Sequence, residues 1–166
     1  MQDKDLLKVF WVLPYKGHES LTRPLDYLSH LFGHEGENSI MSYLKKEGLA
    51  TGLSAGTGGE LHAFKEFYVD VDLTKKGLKE YETVLAAIFK YANKLKEVGP
   101  QDYVFEECKI IGQINFDFMS KGSALSYCER QTKNMQEFKT DEEMAHLFRH
   151  TYGPLEFDKE RVAELQ

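Results

Sequence analysis

Two histidines spaced four residues apart are the side chains best suited to metal chemistry. His30 and His34 would lie on one side of a continuous helix, the spacing that zinc-binding helices use. Zincin motifs also need a glutamate that polarises the metal-bound water, and residues 31–33 contain no carboxylate. Glu35 would point away from the pair, and Gly33 favours a helix end before His34. The pattern therefore favours structural or polar histidines over zinc ligands.

Other catalytic motifs have little support. His146 and His150 repeat the four-residue spacing near a predicted helix end, where the helix dipole favours histidine without any ligand. The chain has no Gly-x-Ser-x-Gly elbow, and the glycines of 56–59 are not followed by the Lys-Ser/Thr pair of a phosphate-binding loop. Nucleophilic and phosphate-binding functions are therefore not indicated.

A glycine-rich segment at 51–59 is the more promising feature. Its small side chains leave backbone N–H and C=O groups accessible, so an extended peptide could add to it as a strand. A plain hairpin or bulge would need the same small residues. The sequence leaves both interpretations open.

Hydrophobic periodicity predicts the elements that position these residues. Alternating and β-branched stretches predict strands, with a kink or bulge among them, and i, i+3/i+4 spacing with capping residues predicts helices. The expected elements of the first half are a strand over 8–14, helices over 24–33 and 39–48, and strands over 49–59 and 63–73.

The second half is predicted to be helical. Thr74 caps the expected longest helix, which ends at Gly99 and whose apolar stripe is expected in the core: Leu78, Tyr81, Leu85, Ile88, Phe89, Ala92 and Leu95. Further helices are predicted over 101–118 and 123–135, after a Thr140 capping box, and after Asp158, where the helical pattern continues to the last residue. These elements predict one α+β domain over 1–166, with a mostly antiparallel sheet covered by helices on one face.

Composition restricts the partners. The 166 residues are 42% hydrophobic, and 21 basic against 27 acidic residues give a net charge of −6 without a basic stripe. We therefore expect no nucleic-acid partner, and no apolar segment is long enough to predict a membrane partner. Cys108 and Cys128 belong to no C-x-x-C motif and are expected to be reduced thiols in a cytoplasmic protein.

Two adjacent segments carry a family resemblance. Residues 27–36 read YLSHLFGHEG and residues 39–48 read SIMSYLKKEG, and shorter matches at 71–78 and 97–109 follow in order. The chain resembles the second, non-catalytic domain of the insulin-degrading enzyme and pitrilysin family of zinc metallopeptidases, from Val12 to about Leu155. The resemblance implies one of four homologous α+β domains, excised from a protease in which only the first domain carries H-x-x-E-H.

The resemblance also implies a degenerate metal site. If His30 corresponds to the second histidine of that motif, Asp26 stands at the first histidine and Ser29 at the catalytic glutamate. Glu106 and Glu107 occupy the region of the third ligand, so a vestigial cluster of Asp26, His30 and Glu107 is implied, without a base. No cofactor is expected in this chain, and zinc is expected in the catalytic domain of the parent protein.

A substrate-anchoring site is implied as well. In the family, the second domain holds the N-terminal end of the substrate by strand addition. The matching positions here are Gly33, Leu53, Ala55, Gly56 and Thr57. Ala55 and Thr57 depart from the usual glycine and glutamine, whereas the other three keep the family residue.

Three hypotheses follow. The first is a non-catalytic, substrate-binding and chamber-forming domain of a zinc metalloendopeptidase, whose partners are a peptide substrate and the other domains of the parent chain. The second is a stand-alone peptide-binding or scaffold protein. The third and weakest is a zinc enzyme built on His30 and His34. A cytoplasmic location is expected, with an organelle of the parent protein left open.

Overall fold

A three-stranded antiparallel sheet forms the base of the structure. The computed structural model describes residues 5–14, 19, 21–61, 64–138 and 140–166. The sheet has the order β1-β3-β2, with strands Asp5–Pro14 (β1), Ala50–Leu61 (β2) and Phe64–Leu73 (β3). The three predicted strands are confirmed within a few residues at their ends, except that Ala63 lies outside the described residues.

Among the described residues, helices cover one face of this sheet and leave the other exposed. Alternate residues of β3 are buried on that face, namely Phe67, Val69, Val71 and Leu73. On the opposite face, β1 exposes Leu6, Phe10 and Val12 to more than half of their full area. The alternation is the pattern of an antiparallel sheet with one buried face, and it confirms the predicted α+β arrangement.

Strand β2 is irregular at both ends. Its pairing with β3 shifts register between Ala50 and Gly52 and again between Thr57 and Glu60. Each shift inserts unpaired residues and bends the strand. The predicted kink or bulge is therefore present, and the two irregularities bracket the regular stretch 52–57.

Capped helices follow the predicted order along the chain. The side chains of Ser39, Thr74 and Asp158 accept hydrogen bonds from backbone N–H groups of the first helical turns, as N-caps do. The helices are Pro24–Gly33 (α1), Ile40–Lys46 (α2), Lys75–Lys79 (α3), Tyr81–Val98 (α4), Asp102–Asp117 (α5), Ala124–Glu137 (α6), Asp141–Met144 (α7) and Lys159–Leu165 (α8), with a 3₁₀ turn at His150–Tyr152. Among the described residues, no helix has the length and apolar content needed to cross a membrane.

The long helix predicted from Thr74 to Gly99 is wrong at its start. Glu80 leaves the helical conformation, with φ −111° and ψ 31°, and separates α3 from α4. The reason is a close backbone contact, because a Cβ added to Gly77 would lie 1.9 Å from the carbonyl oxygen of Leu49. Thr74 also donates its N–H to that oxygen at 3.0 Å. The first turn is therefore docked on Leu49, and a separate helix continues.

The predicted core stripe is confirmed in part, because Ile88 is buried and Ala92 and Leu95 pack against the core. The second fully buried residue of α4 is Val84, which the predicted stripe did not include. Leu85, Ala92 and Leu95 are only partly buried, and almost half of the area of Leu78, Tyr81 and Phe89 is exposed. The capping box at Thr140 forms its reciprocal bonds with Glu143, but the helix ends at Met144.

Gly77→Ala tests the docking of α3. The added methyl group would collide with the Leu49 carbonyl, so we expect the free energy of unfolding to fall by about 1–3 kcal/mol. Urea unfolding followed by circular dichroism measures the change. Gly122→Ala is the matched control, because a Cβ at Gly122 meets nothing within 4 Å. Equal stability of the Gly77 variant and the wild type would contradict the close docking of α3 on Leu49.

Candidate functional site

Four of the five predicted substrate-binding residues lie on β2, which is an edge strand. Leu53, Ala55, Gly56 and Thr57 occupy the regular stretch that pairs with β3. Among the described residues, no strand pairs with the other side of β2. Strand 53–57 therefore presents one free row of backbone donors and acceptors.

The pairing register sorts these side chains between the two faces of the sheet. Leu53, Ala55 and Thr57 lie opposite Val71, Val69 and Phe67, so they share the helix-covered face. Gly56 lies opposite Tyr68, and a Cβ at Gly56 would lie 3.0 Å from the tyrosine oxygen. A side chain at position 56 would therefore require the Tyr68 side chain to move by a few tenths of an ångström, independently of any ligand.

The fifth residue, Gly33, lies at the end of α1. This helix packs along β2, so the structure brings the helix and the edge strand together. A Cβ at Gly33 would meet nothing within 4 Å, so this position opens to free space. The peptide-binding role predicted for these five residues stays a prediction.

The residues at the degenerate metal positions have other partners. Asp26 accepts two hydrogen bonds from Arg23, at 2.5 Å from Nε and 3.2 Å from Nη2. Arg23 also donates through Nη1 to the carbonyl of His150 at 2.8 Å. Ser29 donates its hydroxyl to the carbonyl of Leu25 at 2.7 Å. A guanidinium thus neutralises the carboxylate at the first-ligand position.

His30 and Glu107 come together as the resemblance implies, but His34 does not join them. His30 Nε2 lies 3.5 Å from Glu107 Oε2. His34 lies beyond the end of α1, and its Nδ1 accepts the N–H of Gly36 at 3.1 Å. Within the described part of the chain, no three His, Cys, Asp or Glu side chains are grouped closely enough to hold a metal ion.

A polar cavity beyond the end of the regular β2 stretch was not predicted. It has a volume of about 250 Å³ and lies between the start of α1, the β2–β3 pair and α6. Its cationic side chains are Arg23, Lys65, Arg130 and Lys133. Sequence reasoning missed it because its residues are spread from 19 to 151 and share no local pattern.

Comparison with known proteins decides the family. Residues 3–111 match a family model described as the peptidase M16 inactive domain. The chain belongs to this family. It is 34% identical over 145 residues to a nardilysin-like protein of Arabidopsis thaliana, covering 85% of this chain and 14% of that protein. With the insulin-degrading enzyme of Homo sapiens it shares 32% identity over 143 residues, covering 78% and 14%.

A third relative and a solved structure agree with this assignment. The A-factor-processing enzyme of Saccharomyces cerevisiae is 37% identical over 153 residues, covering 82% of this chain and 15% of that enzyme. The crystal structure of pitrilysin superposes with a TM-score of 0.88 at 23% identity, covering 98% of this chain and 17% of that one, and so shows the fold alone. The inactive domain thus spans about a seventh of the length of these curated relatives.

Two titratable groups of the inactive domain are strongly influenced by burial. Burial raises the pKa of the Cys108 thiol to about 11, and the negative charges of Asp26 and Glu107 act in the same direction. Burial lowers the pKa of His150, and the positive charge of Arg23 acts in the same direction. Cys108 therefore stays a protonated thiol and His150 a neutral imidazole near neutral pH.

The pH dependence of stability tests the state of His150. Because the folded-state pKa lies below the unfolded value of 6.5, the unfolded chain binds more protons as the pH falls, and stability is lost from about neutral pH down to the lowered pKa. We expect His150→Gln to remove this pH-dependent loss of unfolding free energy. The loss amounts to about 1.4 kcal/mol for each unit by which folding lowers the pKa of His150. Urea unfolding at pH 7.5 and 5.5 measures the difference.

The control for this measurement is His146→Gln. Its side chain is partly exposed, whereas that of His150 is buried. We expect the His146 variant to lose as much stability between the two pH values as the wild type. A His150 variant with the same pH dependence as the wild type would show that His150 is not held neutral by the fold.

Proposed function

We propose that the chain is the non-catalytic, peptide-anchoring domain of a zinc metalloendopeptidase, in which an extended substrate adds as a strand to the free edge of β2. The observation that carries this proposal is that β2 is paired on one side only among the described residues. An extended peptide can hydrogen-bond to such an edge through its main chain, without depending on a particular sequence.

The composition of the edge supports strand addition. Residues 52–57 read GLSAGT, so only Leu53 carries a large side chain. Small residues allow a second backbone to approach closely. Ala55 and Thr57 differ from the family's usual residues only in their side chains, and backbone pairing does not require those side chains.

The relatives support a peptide as the ligand. Two of them are named for the insulin that one degrades and the A-factor that the other processes. Because this chain matches only about a seventh of their length, the cleavage chemistry is proposed for another domain of the parent protein. The role of this chain is to hold the substrate and to form part of the wall of the chamber.

The degenerate metal positions do not fit a zinc ion. Asp26 is already neutralised by Arg23, and Ser29 offers a hydroxyl whose proton is donated to a carbonyl. His30 and Glu107 alone supply two groups, whereas catalytic zinc sites use three protein ligands and a nearby base. We therefore propose zinc for the catalytic domain of the parent protein and none for this one.

Peptide binding can be tested by nuclear magnetic resonance. We expect an extended nine-residue peptide with neutral side chains and a free N-terminus to shift the amide signals of residues 53–57 more than all others. Two N-methylated versions of this peptide serve as matched ligands. One is methylated at a backbone nitrogen of an odd-numbered residue in the paired segment, and the other at the nitrogen of the next, even-numbered residue. Because an added strand pairs through every second residue, one version should bind at least about tenfold more weakly and the other about as well as the parent peptide. Equal affinity of all three peptides would refute strand addition.

The absence of catalysis is a separate prediction. We expect the purified chain, supplied with zinc, to show no chelator-sensitive hydrolysis of a fluorogenic peptide, because Ser29 stands at the position of the motif's glutamate and a hydroxyl is a poor general base. His30→Ala is the control for contamination. Chelator-sensitive hydrolysis that disappears in this variant would overturn the non-catalytic assignment, whereas a contaminating protease would be unaffected by the substitution.

A further inference from the structure

The polar cavity concentrates positive charge in an acidic protein. The chain carries a net charge of −6, yet the cavity is lined by four cationic side chains, Arg23, Lys65, Arg130 and Lys133, and two carboxylates. A cleft with an excess of one charge focuses its electric field on whatever enters. The cavity therefore favours an anionic ligand.

Both carboxylates of the cavity are already neutralised. Glu19 is 5% exposed, and its Oε1 lies 2.6 Å from Nε of the buried Arg161. Its second oxygen, Oε2, lies 3.9 Å from Nζ of Lys65. Asp26 holds Arg23. In the part of the chain that the structure describes, Arg130 and Lys133 make no ion pair. These two side chains of α6 carry the unbalanced charge of the cavity.

The position of the cavity connects it to the edge strand. Thr57, the last residue of the regular stretch, and Gly58 in the bulge form part of its wall. Pro24 and Leu25, at the start of the ten-residue helix α1, form another part, so the positive end of the helix dipole adds to the field. In a peptide that pairs with residues 53–57, the end of the paired segment nearest Thr57 would therefore lie beside this cavity.

We propose that the cavity receives the carboxylate of an acidic residue in the peptide that pairs with β2. This inference rests on the proposed function. The donors available to such a carboxylate are charged, and charge-assisted hydrogen bonds of that kind are about twice as strong as neutral ones. An apolar side chain would instead desolvate the cations without pairing them. The substrate class is therefore an extended peptide with an acidic residue next to its paired segment.

Three peptides of equal length test the proposal by titration calorimetry and by amide shifts. One has only neutral side chains, one has a single glutamate before the paired segment, and one has a single glutamate after it. The cavity lies at the Thr57 end of β2, so the first glutamate reaches it if the peptide runs antiparallel to β2 and the second if it runs parallel. We expect one acidic peptide to bind at least about tenfold more tightly than the neutral peptide.

Substitutions in the protein distinguish binding in the cavity from non-specific electrostatic attraction between the acidic peptide and the protein. In the double variant Arg130→Gln with Lys133→Gln, the ratio of the affinities for the acidic and the neutral peptide should fall close to one. The matched control removes the same charge from exposed positions of α4, as Lys90→Gln with Lys96→Gln, and should keep the preference. Loss of the preference in both variants would overturn the cavity as its source.

The outcomes also distinguish this inference from the function on which it rests. If all three peptides bind equally and shift the amides of residues 53–57, the inference fails and strand addition stands. If none of the peptides shifts those amides, the proposed function fails, and the inference fails with it.

Discussion

The alternation of β3 is the constraint on which the rest of the structure depends. Phe67, Val69, Val71 and Leu73 point into the core, and a slip of one residue would replace them with the tyrosine and the carboxylates of the other face. Because β3 bonds to both other strands, its register also fixes which face of β1 and β2 is buried. With β3 in the centre, β2 must lie at an edge. The feature proposed for peptide binding is thus a consequence of the core.

Local signals in the sequence were sufficient for most of the secondary structure. Strand alternation and the capping residues Thr74 and Asp158 identified elements that the structure contains. The failure at Glu80 came from a contact between distant parts of the chain, because Gly77 fits against Leu49 at the start of β2. No periodicity within 74–99 carries that information, and so the predicted core stripe continued across a break that only the tertiary structure imposes.

The candidate site was predictable only where residues that act together are close in sequence. The resemblance identified the positions on β2 because they form one short segment. It could not identify the cavity, where Arg23, the residue before α1, donates to the carbonyl of His150, 127 residues away in sequence. Arg23 also adopts a left-handed backbone conformation, with φ 39° and ψ 56°, which costs a non-glycine residue about 1–2 kcal/mol. Its bonds to Asp26 and His150 offset that cost and fix the guanidinium.

The same guanidinium also balances charge at the degenerate metal positions. The negative charges of Asp26 and Glu107 both raise the pKa of the buried Cys108 thiol. Carboxylates gathered near a buried group are destabilising unless a cation compensates them. Arg23 supplies that charge from the chain itself, at a distance of 2.5 Å from Asp26, and His30 approaches Glu107. Side chains of the chain itself therefore neutralise the carboxylates at these positions.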